Sequence, residues 1–294
     1  MLLRKSFWSR TGFREASRRA REVLVRPRAL LLLPVLAAAP ALAQAKNWPF
    51  SKWQVPDVSK DGWRPEALFW YTTLLCVIAF TLVVAALVAF SLKYRARPGH
   101  VAAYDHGTSR TSYAITAVLA AIVFILIDIN LVRVSQADIG EYLFKWPVSA
   151  DTVKVEIMPQ QWAWNVRYAG PDGVFNTPDD IVTLNEMRVP VGHPVMVNLK
   201  AKDVIHSFYL PHFRLKHDAN PGTVTRTWFT PLKEGKFEIA CSQMCGWAHY
   251  KMRGELTVMA EKDFARWMKD AEGDARRRFD PADKEQLWGW EWVQ

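Results

Sequence analysis

Cysteine is scarce in this chain: there are three among 294 residues, Cys76, Cys241 and Cys245. Three thiols cannot build a disulfide framework. The pattern Cys-x-x-Cys-His is missing, which excludes a covalently attached c-type haem. Basic clusters are missing too, outside the first stretch. Of the formal net charge of +9, residues 1–44 hold nine Lys/Arg against two Glu. That leaves the remainder near +2, with its Lys and Arg scattered. With such a leader removed, no electrostatic footprint for nucleic acid is left. No internal repeat is evident, and no long amphipathic helix lies between residues 151 and 260.

What is present begins with that leader. Arg4 to Arg28 is basic, "ALLLLPVLAAAPALA" is a short apolar core, and "ALAQA" offers small residues for cleavage near Ala43 or Ala45. This is a secretory signal pattern, so residues 1–44 are expected to be cleaved. An uncleaved anchor helix is the alternative, and Pro34 and Pro40 interrupt its core. Residues 45–66 carry Pro49, Pro56 and Pro65 among aromatic rings and read as an extended extracytoplasmic segment near a membrane surface.

Residues 67–92 then run without a charge. At about 1.5 Å per residue this crosses about 30 Å of hydrocarbon. A second apolar run covers 112–132, with Asp128 near its end. The pair predicts a transmembrane hairpin. Its loop, 93–111, carries Lys93, Arg95, Arg97 and Arg110 against Asp105, which suits the cytoplasmic side. Cys76 sits in the first run and reads as a small buried hydrophobe.

After a linker, 133–150, the texture changes. "TVKVEI", "VPVGHPVMVNL", "TVTRTWF", "KFEIA" and "GELTVMA" are short strands with Gly and Pro between them. They predict an all-β sandwich or barrel over 151–260. The tail, 261–294, reads as helical in "KDFARWMKDAE" and ends in "LWGWEWVQ".

The chemistry concentrates in "CSQMCGWAHYKM", Cys241 to Met252. A disulfide there would leave His249 and Met252 without a purpose. Zinc has little use for a thioether. Copper accepts thiolate, imidazole and thioether together. A mononuclear blue-copper site needs one cysteine, whereas two thiolates can bridge a pair of coppers with a histidine on each. The second histidine must come from upstream. His193, His206, His212 and His217 are candidates; His206, after Val204 and Ile205 near a strand end, is favoured.

"DVIHSFYLPHFRLKHDANPG" (203–222) followed by "CSQMCGWAHYKM" resembles subunit II of the haem–copper cytochrome c oxidases, and "QWAWNVRY" (161–168) does so with more changes. The resemblance spans roughly residues 60–270. It implies a membrane-anchored all-β chain: a two-helix transmembrane hairpin followed by a cupredoxin-type Greek-key β-sandwich. It implies a dinuclear CuA centre held by His206, Cys241, Cys245, His249 and Met252, with residue 243 giving a backbone carbonyl. The family usually has Glu at 243, whose carboxylate also binds a magnesium ion shared with subunit I. Here it is Gln243, and a neutral amide is a poorer ligand for a hard dication, which weakens the magnesium expectation but not the copper one.

The resemblance further implies that electrons arrive from cytochrome c at Trp162. Trp164, two residues on, shares its face of the strand; both also suit a β-core. Asp218, in "KHDANPG", matches a loop facing subunit I, and equally suits a surface turn. A position near these tryptophans that is often acidic and helps to dock cytochrome c is Arg167 here, with Asp172, Asp179 and Asp180 following as substitutes. "DGVFNTPDD" reads as a solvated turn in preference to a calcium loop. The proton-uptake glutamate of some relatives is not carried over, because Arg110 and Tyr113 stand there. The implied assembly is an oxidase in a bacterial inner membrane, with subunit I and further subunits as partners and the copper domain in the periplasm. It passes electrons from cytochrome c through CuA to haem, where oxygen is reduced to water and protons are translocated. A thioredoxin-like copper chaperone would need a βαβ pattern around the cysteines. A quinol-oxidase subunit would lack the cysteines, and a free-standing copper carrier would not need two spans.

Overall fold

The structure is a computed structural model that describes residues 51–101, 106–278, 280 and 282. The expected signal peptide, residues 45–50 and the end of the aromatic tail lie outside these. The chain divides into two compact units, one comprising residues 95–134 and the other residues 51–94 together with 135 onward.

In the larger unit, helix α1 spans Trp63–Lys93. Pro65 falls in its first turn, where a missing N–H breaks no helical bond. The hydroxyls of Thr72, Thr73 and Thr81 donate to the carbonyls four residues back, at 2.8, 2.8 and 2.7 Å, so these three polar groups are satisfied within the helix itself. Its 31 residues reach about 46 Å at ~1.5 Å each. Among the described residues it is the one helix long and apolar enough to cross a membrane. Cys76 is exposed on its surface, not buried as expected.

The segment before α1 is part of the β-domain instead of a free extended stretch. Val58 lies in the hydrophobic core. Its N–H donates to His212 O at 2.9 Å, its carbonyl accepts from Leu232 N at 2.8 Å, and Lys60 N donates to Thr230 O at 3.0 Å. Glu66 pairs with Arg214 at 3.1 Å, and Arg64 with Asp138 at 2.8 Å. The base of α1 is thus tied to the sandwich.

In the smaller unit, helix α2 covers Arg110–Val123, capped by Ser109, whose side chain accepts from Ser112 N at 3.1 Å. A π-helical turn, Phe124–Asp128, follows, then helix α3, Ile129–Asp138, whose residues from 135 belong to the larger unit, as does a second π-helical turn, Ile139–Leu143. The second apolar run is therefore broken by a π-turn, and α2 alone is a shorter apolar helix of 14 residues.

Among the described residues ten strands follow, in two five-stranded sheets. They are β1 Val153–Gln160, β2 Ala163–Tyr168, β3 Ile181–Leu184, β4 Glu186–Pro190, β5 Val195–Leu199, β6 His206–Leu210, β7 Leu215–Ala219, β8 Thr225–Phe229, β9 Gly235–Cys241 and β10 Arg253–Met259. The first sheet runs β3-β2-β1-β5-β8 and the second β4-β10-β9-β6-β7. β1 pairs parallel with β5 and β10 parallel with β4; the other neighbours are antiparallel. Period-2 alternation sends Val195, Val197 and Leu199 of β5, and Trp164, Val166 and Tyr168 of β2, inward to meet Phe208, Ile239 and Leu256. Each such fully buried aliphatic side chain contributes about 1.5–3 kcal/mol. Helix α4, Glu261–Arg278, follows β10, and its Trp267 packs edge-on against Tyr168.

Candidate metal centre

β9 and β10 are antiparallel neighbours, with Ala240 opposite Arg253. The loop between them, 242–252, is therefore pinched at its neck, where Cys241 N donates to Met252 O at 3.3 Å. β6 lies on the other side of β9, with Phe208 opposite Cys241. Ser242 N donates to Ser207 O at 3.0 Å, tying the loop to the strand that begins at His206. The ladder thus delivers a distant histidine to two loop cysteines.

The donor atoms converge. Cys241 Sγ and Cys245 Sγ, both free thiols, are 3.8 Å apart. His206 Nδ1 is 4.0 Å from Cys241 Sγ, and His249 Nδ1 is 3.5 Å from Cys245 Sγ. Met252 Sδ lies 3.8 Å from Cys245 Sγ, and the Gln243 carbonyl is 3.2 Å from Cys241 Sγ. His206, Cys245 and Met252 are buried. Burial pushes the Cys241 thiol up, but hydrogen bonding with His206 and the backbone at Ser207 and Gln243 outweighs this and brings it to about 6. Burial, and then the charge of Cys241, push Cys245 up to about 12. The thiols titrate as a pair: the ionised one holds the proton on the other. Two thiols, two imidazoles, a thioether and one carbonyl form a soft donor set that fits copper.

A layer behind these donors orients them. His206 Nε2 is 2.8 Å from Asp203 Oδ1, which leaves Nδ1 facing the thiols. Asp203 also accepts from Val204 N at 2.7 Å and Gln161 N at 2.6 Å. Gln161 Nε2 and Trp162 Nε1 both donate to Cys245 O, at 2.8 and 3.2 Å. Gly246, at φ +119°, permits this approach, since a Cβ there would meet Gln161 Nε2 at 2.8 Å and the Trp162 ring at 3.1 Å. Sequence reasoning assigned Asp203 no role. Its signal, an acid three residues before the histidine, is readable only once that histidine is known to be a ligand.

The remaining candidates fall elsewhere. His193 faces Asp151 and Glu261, at 3.5 and 3.7 Å, while His212 packs against Phe237 and His217 lies in β7 opposite Phe208. Trp162 is half-buried beside Cys245, whereas Trp164 is fully buried between His206 and Phe208. Asp218 is exposed on β7, apart from the donor cluster, and the Gln243 side chain is exposed. Arg167 is not a surface docking position. It is fully buried, bonded to Glu156 and to Asn176 Oδ1 at 2.7 Å. Asp179 and Asp180 are also buried. Among the described residues, the cluster of three or more His, Cys, Asp or Glu able to hold a metal is His206, Cys241 and Cys245.

Residues 153–258 match the family described as cytochrome c oxidase subunit II, periplasmic domain. An alternative cytochrome c oxidase subunit 2 of Bradyrhizobium diazoefficiens is 30% identical over 265 residues, covering 82% of this chain and 90% of that protein. A cytochrome c oxidase subunit 2 of Thermostichus vulcanus is 39% identical over 118 residues, 40% of this chain and 33% of that one. The crystal structure of the periplasmic domain of subunit II of a Bradyrhizobium japonicum cytochrome oxidase is 33% identical, with a TM-score of 0.37 over 44% of this chain and 97% of that one. With its cupredoxin-like β-sandwich, its long apolar helix and a relative matched over most of both lengths, this chain belongs to the cytochrome c oxidase subunit II family, whose members are subunits of an oxidoreductase complex.

Proposed function

We propose that this chain is the electron-accepting subunit of a membrane-bound cytochrome c oxidase, built to hold a dinuclear copper centre of the CuA type. The observation that carries this reading is the convergence of two thiols, two imidazole Nδ1 atoms, the Met252 thioether and the Gln243 carbonyl at one loop. His206, Cys241, Gln243 through its carbonyl, Cys245, His249 and Met252 would hold the metal. Bound there, copper supplies a one-electron carrier between cytochrome c and a haem of subunit I, where oxygen is reduced to water with proton translocation.

The chain's own residues set the conditions. Asp203 fixes the tautomer and direction of the His206 ring. The buried faces of His206, Cys245 and Met252 keep water off the inner side of the site. Trp162, bonded to the Cys245 carbonyl, receives electrons from the donor, with Trp164 behind it as core packing. Asp218 faces subunit I from β7. The neutral Gln243 amide is a poorer ligand for a magnesium ion shared with subunit I than a carboxylate would be.

In the same reading residues 67–92 and 112–132 are two spans joined by a cytoplasmic loop, 93–111. The length of α1 and the exposed apolar side chains of α2 support this. Residues 1–44 are the cleaved signal peptide, 45–66 the extracytoplasmic lead-in, 133–150 the linker, 151–260 the copper domain on the periplasmic side and 261–294 the helical tail.

The full-length chain, purified in detergent and loaded with copper, is expected to bind two copper ions that share one unpaired electron by EPR. One copper with a blue-copper spectrum, or a dithiol that reduces disulfides without copper, would sink the reading. Asp203→Asn is expected to weaken copper binding by about 10–100-fold in chelator competition, because the amide no longer demands the Nε2 proton. Unchanged affinity would remove Asp203 from the site.

A further inference from the structure

We propose that Trp247 is the outer half of a two-ring contact surface for the electron donor, so that cytochrome c meets Trp247 first and Trp162 behind it. This rests on the reading of Trp162 given above. It concerns binding, not a chemical step.

Trp247 is 77% exposed, high for the largest apolar side chain on a short loop. It stands edge-on to Trp162, with ring centroids 5.3 Å apart and planes at 69°. Trp162 in turn bonds to the Cys245 carbonyl, so the exposed ring is two contacts from the backbone of a cysteine of the site. Gly246 makes this possible, because only its bare backbone lets the loop fold back on the Trp162 ring. Met244 and Tyr250, on the same loop, are 74% and 66% exposed. An exposed aromatic group beside a half-buried one is the usual composition of an interface anchor.

The acids of the following turn are not beside Trp162. Asp172, Asp179 and Asp180 lie in the turn after β2, whereas Trp162 precedes it. Six residues at about 3.3 Å each put them about 20 Å away along the strand. Asp179 and Asp180 are also turned inward, towards Arg276 and Arg167. The charges beside the aromatic patch, Lys251 next to Tyr250 in sequence and Asp203 bonded to Gln161 N, are of opposite sign. What the patch offers a donor is apolar ring surface, which suits the exposed haem edge of a small cytochrome c. As a member of a cytochrome c oxidase family, the chain has cytochrome c for its donor class.

The test uses the assembled oxidase purified from membranes, with a soluble single-haem cytochrome c as the probe. Trp247→Ala is expected to raise KM for the cytochrome, and to weaken its direct binding, by about tenfold or more. kcat, copper content and the copper EPR signal should stay as in the parent. The lost increment should depend little on ionic strength, and Trp247→Phe should restore part of it. Unchanged KM and binding in Trp247→Ala, or loss of the copper signal in that variant, would overturn the proposal; the second result would make Trp247 a cover for the loop. Trp162→Phe separates the two readings. If it leaves electron uptake from the cytochrome intact, the reading of Trp162 fails. If it slows uptake while Trp247→Ala is silent, only the outer ring is lost.

Discussion

Cys245→Ser is expected to abolish the dinuclear copper signal, while Cys76→Ser leaves it intact. Cys245 is the hub of the donor cluster: its Sγ is 3.8 Å from Cys241 Sγ, 3.5 Å from His249 Nδ1 and 3.8 Å from Met252 Sδ. A serine hydroxyl is harder and far less acidic than a thiol, so only one soft anionic ligand would remain. One thiolate suffices for a mononuclear site but cannot lie between two metal ions together with a second. The fold should survive. Cys245 contributes one small side chain at the margin of the core, and leaving a buried hydroxyl there costs about 1–3 kcal/mol. Circular dichroism should therefore be unchanged while copper content falls and the EPR signal becomes mononuclear or disappears. Cys76 sits exposed on α1 in the apolar run and touches none of the donor atoms named here. A Cys245→Ser protein that keeps a shared-electron signal would refute the assignment of both sulfurs to the site.

The site was more legible in the sequence than its surroundings. Two cysteines, a histidine and a methionine within one loop are local, so their spacing survives into the structure. His206 could be favoured over His193, His212 and His217 because it opens a strand, and strand pairing is what carries it to Cys241. Strands, too, were readable, since alternation such as that of Val195, Val197 and Leu199 is a property of neighbours. The unreadable features all depend on long-range partners. Asp203 and Gln161 look like ordinary loop polars until β6 and the β1–β2 turn are brought together. Val58 looks like part of a linker until it meets His212 and Leu232. The second apolar run gave no hint of the π-turn at Phe124–Asp128. Arg167 is the clearest case. A charged residue in an alternating strand reads as solvent-facing, and what inverts this is the turn after β2: Arg167 lies beside Glu156 on the face opposite Val166 and Tyr168, and Phe175, Asn176 and Asp180 bury it there.

That inversion makes Arg167 a structural keystone with a large expected effect. Its Nε donates to Glu156 Oε2 at 3.0 Å, Nη2 reaches the same carboxylate, and Nη1 donates to Asn176 Oδ1 at 2.7 Å and lies 3.6 Å from Asp180 Oδ2. The guanidinium also sits over the Phe175 ring, 5.3 Å from its centroid. Arg167→Ala removes the cation paired with Glu156 and Asp180 while both acids stay buried, so unfolding free energy at neutral pH should fall by about 3–5 kcal/mol. Arg167→Lys keeps the charge but not the planar fork, and should recover only part of the loss. The pH dependence identifies the cause. Burial pushes the Glu156 carboxyl up, and pushes Asp180 up to about 6 despite Arg167. The unfolded chain releases these protons near pH 4. The folded state thus binds more protons between about 4 and 6, and the contribution of these two groups to stability falls as pH rises through that window. Without the guanidinium both carboxyls hold their protons to higher pH still. The deficit of Arg167→Ala relative to the parent should then be greatest at neutral pH and shrink towards pH 4, where the buried acids are neutral in both proteins. Denaturant titrations of the two proteins across that range check this. A deficit independent of pH would mean that the alanine's lost packing, and not its orphaned carboxylates, is what weakens the sandwich.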